Sequence, residues 1–470
     1  VLERVKNFSA SHPAVKNDPR SEWIIGRGWD QNDWKNNQFP DRAKLDELFP
    51  DRPVLLTRID GHAALANKTA LKRAGIHYGS SIGGGKIEFR ENFDQEDWSD
   101  PLMKVETGKL NFRGKSPSGI LIDNAVKLVE DLIPMPSREA KEKALMAAQR
   151  DCFENGLTTI DDAGLDKEII LLIDSLQKAG QLQMRIYAMI SSTQNNFDYF
   201  LHRPKIKTQY LNVRSFKFYA DGALGSRGAC LKEDYQDKKN WKGFLLQQAE
   251  YFRLHAAKMF ENGFQMNTHC IGDSSDYVIG TIYRNQINPT GKDEDALKKY
   301  RWRIEHAQIV SASDRIIFKS VIPSVQPTHA TSDMYWAEER LGAERIGNAY
   351  AYQTLLKNAG TIALGTDFPV EGISPINTFY AAVFRKDKKG YPENGFQLSD
   401  ALTREQAIRG MTIWAAFANF EENEKGSIEK GKLADFVILD NDLMMSSEGK
   451  ILDTKVLSTF IGGKIVYQRK

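Results

Sequence analysis

Cysteine is scarce in this sequence. Its 470 residues contain only Cys152, Cys230 and Cys270. Three thiols spread over such a length cannot form the disulfide framework of a small secreted domain. We therefore expect a cytoplasmic protein in a reducing compartment, with its cysteines as buried free thiols.

Long apolar runs, repeats and an excess of one charge are missing as well. No apolar run approaches the roughly 18 residues that suggest a transmembrane helix. No internal repeat or low-complexity tract is present. The 64 basic and 62 acidic residues nearly cancel and leave a net charge of +2, so the composition favours neither nucleic acid nor a membrane surface as a partner. We expect a small-molecule substrate as the binding partner. The sequence leaves open whether the chain forms a homodimer.

A regular alternation of helix-like and strand-like segments is present from Pro136 onward. It is typical of a parallel sheet with right-handed crossovers. The seven expected strands are TTIDDAG, MRIYAMIS, SFKFYADG, FQMNTHC, RWRIEHAQ, VIPSVQP and TIALGTD. Eight such strands close a β/α barrel of about 250 residues, and we expect the first of the eight to lie before Val1.

The sequence outside this alternation predicts further parts. Residues 1–21 are expected to be the end of a barrel helix or a linker, and residues 22–135 an inserted α+β subdomain. Residues 136–425 would then hold barrel strands two to eight, and residues 426–470 a small β appendage.

Several elements are predicted within these parts. We expect a strand over Glu22–Gly26, a loop over GRGWDQNDW (26–34) and a strand over 53–61. A helix over HAALANKTALKRAG (62–75) should follow and end at Gly75. KIEF and SGILI should pair, with the polar stretch ENFDQEDWSD as a surface loop between them. TREQAIRGMTIWAAFAN predicts one helix capped by Thr403 with Gln406 at the capping-box position, and FVILD and KIVYQ predict strands.

Four of the expected strand ends carry metal-binding or ionisable side chains, Lys217, His269, His306 and Asp367. In β/α barrels the active site lies at the C-terminal ends of the strands. Imidazole nitrogens and carboxylate oxygens bind zinc and similar divalent ions. We therefore predict a metal centre of these four residues. His269, His306 and Asp367 would be catalytic, with Asp367 accepting a proton from the attacking water.

Each of these residues also has a structural interpretation. A single histidine at a strand end is commonly a hydrogen-bonded structural residue. Asp367, which precedes Phe-Pro, suits a turn cap, and Lys217 could pair with Asp221 on the same strand face. His255 lies on a helix and is assigned a structural role. The similar endings of three separate strands favour the metal site over coincidence.

Two glycine-rich stretches do not match nucleotide-binding motifs. GALGSRG (222–228) lies outside the first β-α unit, where a dinucleotide fingerprint belongs, and GGGK lacks the spacing and the Ser/Thr of a phosphate-binding loop. Arg227 in the first stretch is either an anchor for an anion or carbonyl group, or a surface arginine.

Several longer motifs occur in the same order as in a known protein family, and they span nearly the whole chain. They are GRGWDQNDW, TRIDGHAALAN, TTIDDAG, KFYADGALGSR, NTHCIGD, RIEHAQ, SVQPTHATSD, ALGTDFPVE and GSIEKGKLADFVILD. In these motifs the chain resembles the amidohydrolase superfamily. The resemblance is to its amidohydrolase-3 branch of metal-dependent hydrolases, which includes N-substituted formamide deformylase. The motifs identify the family but give little information about the substrate.

The resemblance implies an α/β fold, a metal-dependent (β/α)8 TIM barrel. An inserted subdomain would roof the active site, and both chain ends would build a β-sandwich, so residues 426–470 would be its C-terminal half. Lys217 matches the lysine of the fourth strand, which in such enzymes can be carboxylated. His269 and His306 match the ligands of the fifth and sixth strands, and Asp367 matches the aspartate of the eighth. The expected cofactor is one or two divalent metal ions, with zinc preferred.

The resemblance also implies a substrate pocket. Its candidate residues are Trp29, Asp60, His62, Asp221, Arg227 and His329. For Trp29, Asp60, His62 and His329, helix capping or core packing is the competing interpretation. One family motif is missing, because no His-x-His pair occurs here. In the family this pair lies on the first barrel strand and binds the metal. We expect that strand and its histidines before Val1.

These observations lead to one hypothesis and its alternatives. The leading hypothesis is a hydrolase that cleaves an amide or formamide-like C–N bond of a small molecule through a metal-activated water. A deaminase or an ester hydrolase with the same centre is the alternative among enzymes. A catalytically inactive binding or regulatory protein is the alternative outside them.

Overall fold

A computed structural model describes residues 1–91, Phe93, Trp98 and residues 115–470. The chain divides into two compact units. Unit 1 comprises Val1–Ser137, Gly222–Ala229 and Gly243–Gln247, and unit 2 comprises Arg138–Asp221, Cys230–Lys242 and Gln248–Lys470. Most of the stretch ENFDQEDWSD, predicted as a surface loop, lies outside the described residues.

The described part of unit 1 is built on a five-stranded sheet. Its strands are β1 (Ile24–Trp29), β2 (Val54–Arg58), β3 (Ala63–Ala66), β4 (Gly85–Glu91) and β5 (Lys115–Asp123). They lie in the order β1-β2-β3-β5-β4, with β1 and β2 parallel and the other neighbours antiparallel. The predicted pairing of KIEF with SGILI is confirmed by β4 and β5. The helices of this part are α1 (Leu2–Ser11), α2 (Ala43–Leu48), α3 (Lys68–Arg73) and α4 (Asn124–Glu130), with 3-10 turns at Pro19–Glu22 and Gln31–Asp33.

Both faces of this sheet are covered. Leu55 and Leu121 pack in a core cluster that includes residues of α3 and α4. Leu56 and Ile120 pack on the other face, in a cluster with residues of α1 and α2. Strands that are buried on both faces carry continuous apolar runs rather than an alternating pattern, which explains the sequences VLL and GILI.

The helix predicted over residues 62–75 is wrong in its first half. Ala63–Ala66 is strand β3 and pairs antiparallel with β2 and with β5. Asn67 then caps α3, because its side chain accepts a hydrogen bond from the Ala70 N–H at 3.0 Å. Alanine favours helices by propensity, but strand partners on both sides override that preference here. The predicted end at Gly75 is confirmed by its φ of 65°.

The loop predicted over residues 26–34 is wrong at its start. Strand β1 continues to Trp29 because it stays paired with the parallel strand β2, with an irregularity between Arg27 and Trp29. The strand predicted over Glu22–Gly26 is confirmed from Ile24 onward, and glycine at two of the six positions of β1 hid its continuation to Trp29 from the sequence pattern.

Unit 2, which the structure describes throughout, is built on a sheet of seven parallel strands. They are β6 (Thr159–Leu165), β7 (Arg185–Ser191), β9 (Leu211–Tyr219), β10 (Gln265–Cys270), β11 (Arg303–His306), β12 (Ile322–Val325) and β13 (Ala363–Leu364); the two-residue β8 (Ile206–Lys207) pairs antiparallel with β9. The seven parallel strands are neighbours in chain order, as predicted. Parallel strands in chain order with helices between them form an α/β architecture of the TIM-barrel type.

Most helices of unit 2 connect these strands. They are α5 (Arg138–Glu154), α6 (Lys167–Lys178), α7 (Gln194–Phe200), α8 (Ala249–Glu261), α9 (Asp273–Ile287), α10 (Ala296–Tyr300), α11 (Pro327–Asp333), α12 (Ala337–Leu341), α13 (Ala343–Ile346), α14 (Tyr352–Ala359), α15 (Pro375–Phe384), α16 (Arg404–Met411), α17 (Ile413–Ala418) and α18 (Glu448–Ile451), with 3-10 segments at Ala312–Lys319 and Leu398–Asp400. Within the described ranges, none of the helices combines the length and the hydropathy that a membrane crossing requires.

The helix predicted over residues 403–419 begins as expected and then breaks. Thr403 and Gln406 form the predicted capping box. The chain leaves the helical conformation at Thr412, whose φ is −128° and whose ψ is −94°. Its hydroxyl donates a hydrogen bond to the Ile408 carbonyl at 2.7 Å, a bond that competes with the helix ladder and bends helices.

The C-terminal residues form a three-stranded antiparallel sheet of β14 (Phe436–Leu439), β15 (Val456–Ile461) and β16 (Lys464–Gln468). The predicted strands FVILD and KIVYQ are therefore confirmed. Gly462 and Gly463 connect β15 to β16 with φ values of 55° and 79°, the positive values that a tight two-residue hairpin turn requires.

Candidate active site

Three neighbouring parallel strands of unit 2 carry residues predicted to bind metal. Lys217 lies on β9, His269 on β10 and His306 at the end of β11, and all three side chains are buried. The register pairs Tyr219 with His269, and His269 with Glu305. Side chains two residues apart on a strand share a face, so Lys217 lies on the same face as His269.

His306 approaches His269 through an uncommon backbone conformation. Alternation along β11 would turn His306 away from the face that carries Glu305. However, φ is 74° at His306 and 42° at Ala307, in the left-handed region that residues other than glycine seldom adopt. The imidazole rings of His269 and His306 are in edge contact, with centroids 4.4 Å apart. Such strain is found preferentially at functional sites.

His269 and His306 begin a row of side chains that continues with His329 and Asp367. His329 is in the first turn of α11, directly after β12, and Asp367 follows β13. The His329 ring lies parallel to that of His306, with centroids 5.9 Å apart, and its Nε2 is 3.9 Å from Asp367 Oδ2. The Asp367 side chain is 38% exposed. The structure thus brings His269, His306, His329 and Asp367 together at one edge of the sheet.

The chemistry of this donor set fits a divalent metal. Imidazole nitrogens and a carboxylate are the ligand types that zinc and similar ions prefer, and His269 and His306 offer two buried rings in contact. In the part of the chain that the structure describes, no three His, Cys, Asp or Glu side chains converge closely enough to hold an ion between them. The candidate ligands in the described ranges therefore lie in two pairs, His269 with His306 and His329 with Asp367.

The Asp221 side chain binds the loop that follows β10 and lies close to His269. Its carboxylate is fully buried and accepts four hydrogen bonds. The donors are the backbone N–H groups of Cys230, Ile271 and Gly272 and the hydroxyl of Ser275. Burial raises the pKa of Asp221 to about 7, and these bonds oppose that shift. Its Oδ1 lies 3.7 Å from His269 Nε2, which is longer than a hydrogen bond.

Lys217 shares a polar face with residues that our sequence analysis missed. Glu305 accepts a hydrogen bond from Arg303 Nε at 2.6 Å, and Arg303 also binds Asp161 at 2.7 Å. Burial lowers the pKa of Lys217, and the nearby Glu305 opposes this shift. The salt bridge considered between Lys217 and Asp221 is not formed in the fully described unit 2. The spacing of RIEH, which puts Arg303 and Glu305 on one face, could have revealed them.

The remaining predicted pocket residues, Trp29, Asp60, His62 and Arg227, lie in unit 1. Trp29 is buried in a core cluster, and its Nε1 donates to the Leu56 carbonyl at 2.7 Å, which favours the packing interpretation. Asp60 accepts hydrogen bonds from Arg58 and from the His62 N–H. Arg227 lies in the segment 222–229 with a φ of 63°. A role of these residues in substrate binding stays a prediction.

His62 has a partner that our sequence analysis missed. Its Nδ1 lies 2.8 Å from Oδ1 of Asp123, whose side chain is fully buried. Burial raises the pKa of Asp123, and the His62 imidazole opposes that shift. The two residues are 61 positions apart in the chain, so no local pattern pairs them.

Comparison with known proteins supports the predicted family. The sequence profile of the Amidohydrolase family matches residues 1–95 and 109–467. Protein LONG AFTER FAR-RED 3 of Arabidopsis thaliana is 30% identical over 470 residues, which cover 97% of this chain and 75% of that protein. N-substituted formamide deformylase of Arthrobacter pascens is 22% identical over 486 residues, which cover 100% of this chain and 83% of that protein.

A solved structure shares the fold. The crystal structure of an uncharacterized metal-dependent hydrolase from Pyrococcus horikoshii OT3 matches with a TM-score of 0.69 and 23% sequence identity. The match covers 95% of this chain and 81% of that chain.

Proposed function

Because the chain belongs to the Amidohydrolase family, we propose that it is a metal-dependent hydrolase that cleaves an amide or formamide-like C–N bond of a small molecule. The observation that carries this proposal is the contact of His269 with His306 at the C-terminal ends of two parallel strands, in a row that ends at Asp367. The similarity to N-substituted formamide deformylase supports the choice of bond.

The metal ligands of this proposal are His269, His306, Asp367 and Lys217. One or two ions would be held, and zinc suits the imidazole and carboxylate donors. When bound, such an ion lowers the pKa of water and polarises a carbonyl group. The Asp221 carboxylate, with Oδ1 3.7 Å from His269 Nε2, would add negative charge beside this site.

Lys217 becomes a ligand by carboxylation. Burial lowers its pKa, which favours the neutral amine that reacts with carbon dioxide. The Nζ lone pair forms the N–C bond and the nitrogen releases a proton, so that a carbamate anion replaces the neutral amine. The carbamate oxygens are then able to bind metal, as a carboxylate does.

Asp367 moves the proton of the reaction. As the water oxygen attacks the carbonyl carbon, the Asp367 carboxylate accepts a water proton. It then donates that proton to the leaving nitrogen while the C–N bond breaks. Its partial exposure leaves room for water and substrate, and His329, 3.9 Å away, limits the positions of its Oδ2.

Asp367→Asn tests this assignment. We expect kcat/KM to fall by about 10²–10⁴-fold, the usual contribution of general acid–base catalysis, in assays with N-substituted formamides, simple amides and esters. Asp453→Asn, which changes an exposed carboxylate, should retain full activity. Metal content is measured in parallel by mass spectrometry.

The outcomes separate the parts of the proposal. An Asp367→Asn variant that retains wild-type kcat would show that another group transfers the proton. Cleavage of esters without amides would contradict the proposed bond. A purified wild-type protein with neither tightly bound metal nor hydrolysis of any of these compounds would contradict the enzyme itself.

A further inference from the structure

Asp276 lies on α9 in the interior of unit 2 and is 2% exposed. Both oxygens of its carboxyl group are buried, and among the described residues neither has a hydrogen-bond partner. An ionised carboxylate that is buried without hydrogen bonds or a cation costs so much free energy that such a group binds a proton instead. The reaction proposed for the metal centre does not use Asp276.

The face of α9 that carries Asp276 packs closely against the rest of unit 2. Asp276, Gly280 and Tyr283 follow each other at the i, i+4 and i+7 spacing of one helix face. The Tyr283 hydroxyl lies 2.6 Å from Thr268 Oγ1 on β10. A Cβ added at Gly280 would collide with the side chain of Ile317, in the 3-10 segment between β11 and β12. The Asp276 carboxyl group therefore gains solvent only if α9 moves.

The ionisable groups that act on the charge of Asp276 come from α9 itself, from β10, from the chain after β9 and from the 3-10 segment. They are the carboxylates of Asp221, Asp273 and Asp314, the thiol of Cys270 and the ammonium group of Lys232. Burial raises the pKa of Asp276 well above its usual range, and the three neighbouring carboxylates raise it further. Lys232 opposes this rise.

The hydrogen-bond donors of this cluster bind the other carboxylates. Asp221 accepts the four hydrogen bonds described above. Asp273 accepts one from the Lys232 N–H at 2.9 Å, and the ammonium group of Lys232 binds Asp314. Hydrogen bonds to a carboxylate favour its ionised form. This division of donors favours negative charge on the three other carboxylates and leaves Asp276 as the member of the cluster that binds a proton.

We propose that Asp276 is an un-ionised carboxylic acid in the folded protein at neutral pH, and that its ionisation in alkaline solution destabilises the fold of unit 2. In the unfolded chain an aspartate ionises near pH 4. Above about pH 4 the folded chain therefore holds one proton that the unfolded chain has released. Stability is lost as the pH rises from there to the higher pKa of the folded state, and below about pH 4 Asp276 has no effect on it. This sensitivity does not depend on the hydrolysis proposed for the metal centre.

The protonated state is tested by infrared spectroscopy of the folded protein at pH 7. The C=O stretch of an un-ionised carboxyl group absorbs apart from that of a carboxylate. We expect a band of this kind in the wild type that is missing from Asp276→Asn. Asp151→Asn, which changes an exposed carboxylate on α5, should retain the band. Asp276→Ser takes the place of Asp276→Asn if that variant does not fold. Identical carboxyl bands in the wild type and in the Asp276 variant would overturn the proposal.

The effect on stability is measured by denaturant titration between pH 5 and pH 9. The unfolding constant of the wild type, divided by that of the Asp276 variant, should rise with pH by up to about tenfold per unit, because only the wild type carries the buried acid. The same ratio formed with Asp151→Asn should stay constant. A ratio for the Asp276 variant that does not change with pH would show that this carboxyl group does not link alkaline pH to the stability of the fold.

Discussion

Arg185 at the start of β7 is almost fully buried, and so is its partner Asp435. Its Nε lies 2.5 Å from Asp435 Oδ2 and its Nη2 lies 2.9 Å from Oδ1, while Nη1 donates to the Gln209 carbonyl. Loss of one member of a buried ion pair leaves the other charge unpaired, at a cost of about 3–5 kcal/mol. We expect Arg185→Met to lower the free energy of unfolding by this amount in denaturant titrations.

Lys178→Met is the matched control for this prediction. Lys178 also pairs with an aspartate, Asp174, but its side chain is 70% exposed. Exposed pairs contribute about 0–1 kcal/mol, so this variant should unfold close to the wild type. If both variants lose the same stability, burial of the Arg185 pair has no special importance.

The positions of the candidate site residues were predictable to different degrees. Lys217, His269 and Asp367 were identified because each lies at or near the end of a strand-like segment, and such ends meet at one edge of a parallel sheet. The positive φ of His306 follows from no local pattern. Asp123 and His62 are joined only by folding, since the sequence between them includes β3 and β4.

Asn67 decides the structure of the segment that follows β2. It is fully buried and makes four hydrogen bonds. Its partners are the N–H groups of Val54 and Ala70 and the carbonyls of Phe49 and Arg52. Each buried group left without a partner costs about 1–3 kcal/mol. We therefore expect Asn67→Ala to lower the free energy of unfolding by at least about 3 kcal/mol, measured by chemical denaturation.

Asn155→Ala serves as the comparison for Asn67. Asn155 makes one exposed side-chain hydrogen bond, to the Asp151 carbonyl, and its loss should change stability by no more than about 0.5 kcal/mol. A small effect of Asn67→Ala would mean that β3 and α3 are held by packing, without help from this side chain.

The elements show where sequence patterns are sufficient. The strands of unit 2 were identified because a run of buried β-branched and apolar residues, bounded by glycine or by a helix, has few other interpretations. Ala63–Ala66 was assigned to a helix because alanine lacks a β signal, and its strand partners lie elsewhere in the chain. The break at Thr412 depends on one hydrogen bond from its side chain to the backbone. Helix propensities of single residues do not predict such a bond.

At the scale of the whole molecule, the order of the strands in unit 2 follows from short connections. When each strand is followed by a helix that returns the chain to the same end, the next strand pairs beside the last. The alternation in the sequence therefore predicts the neighbours of β9, β10 and β11 and places their ends together. The distances between His269, His306, His329 and Asp367 depend on packing and backbone strain, and only the structure gives them.

The metal proposed for this edge should stabilise the folded molecule as a whole. An ion that binds only the folded state adds about 2.7 kcal/mol at 100 times its Kd. The shift in Tm is this free energy divided by the unfolding entropy, which is about 2.1 cal/mol/K per residue. For 470 residues we therefore expect zinc to raise the Tm by about 3 °C, and a chelator to reverse the rise. The double variant His269→Ala/His306→Ala removes the two rings in contact and should lose the zinc-dependent rise, whatever its own Tm. His12→Ala, which changes an exposed histidine, should retain it. An equal rise in the double variant would place the stabilising ion elsewhere in the molecule.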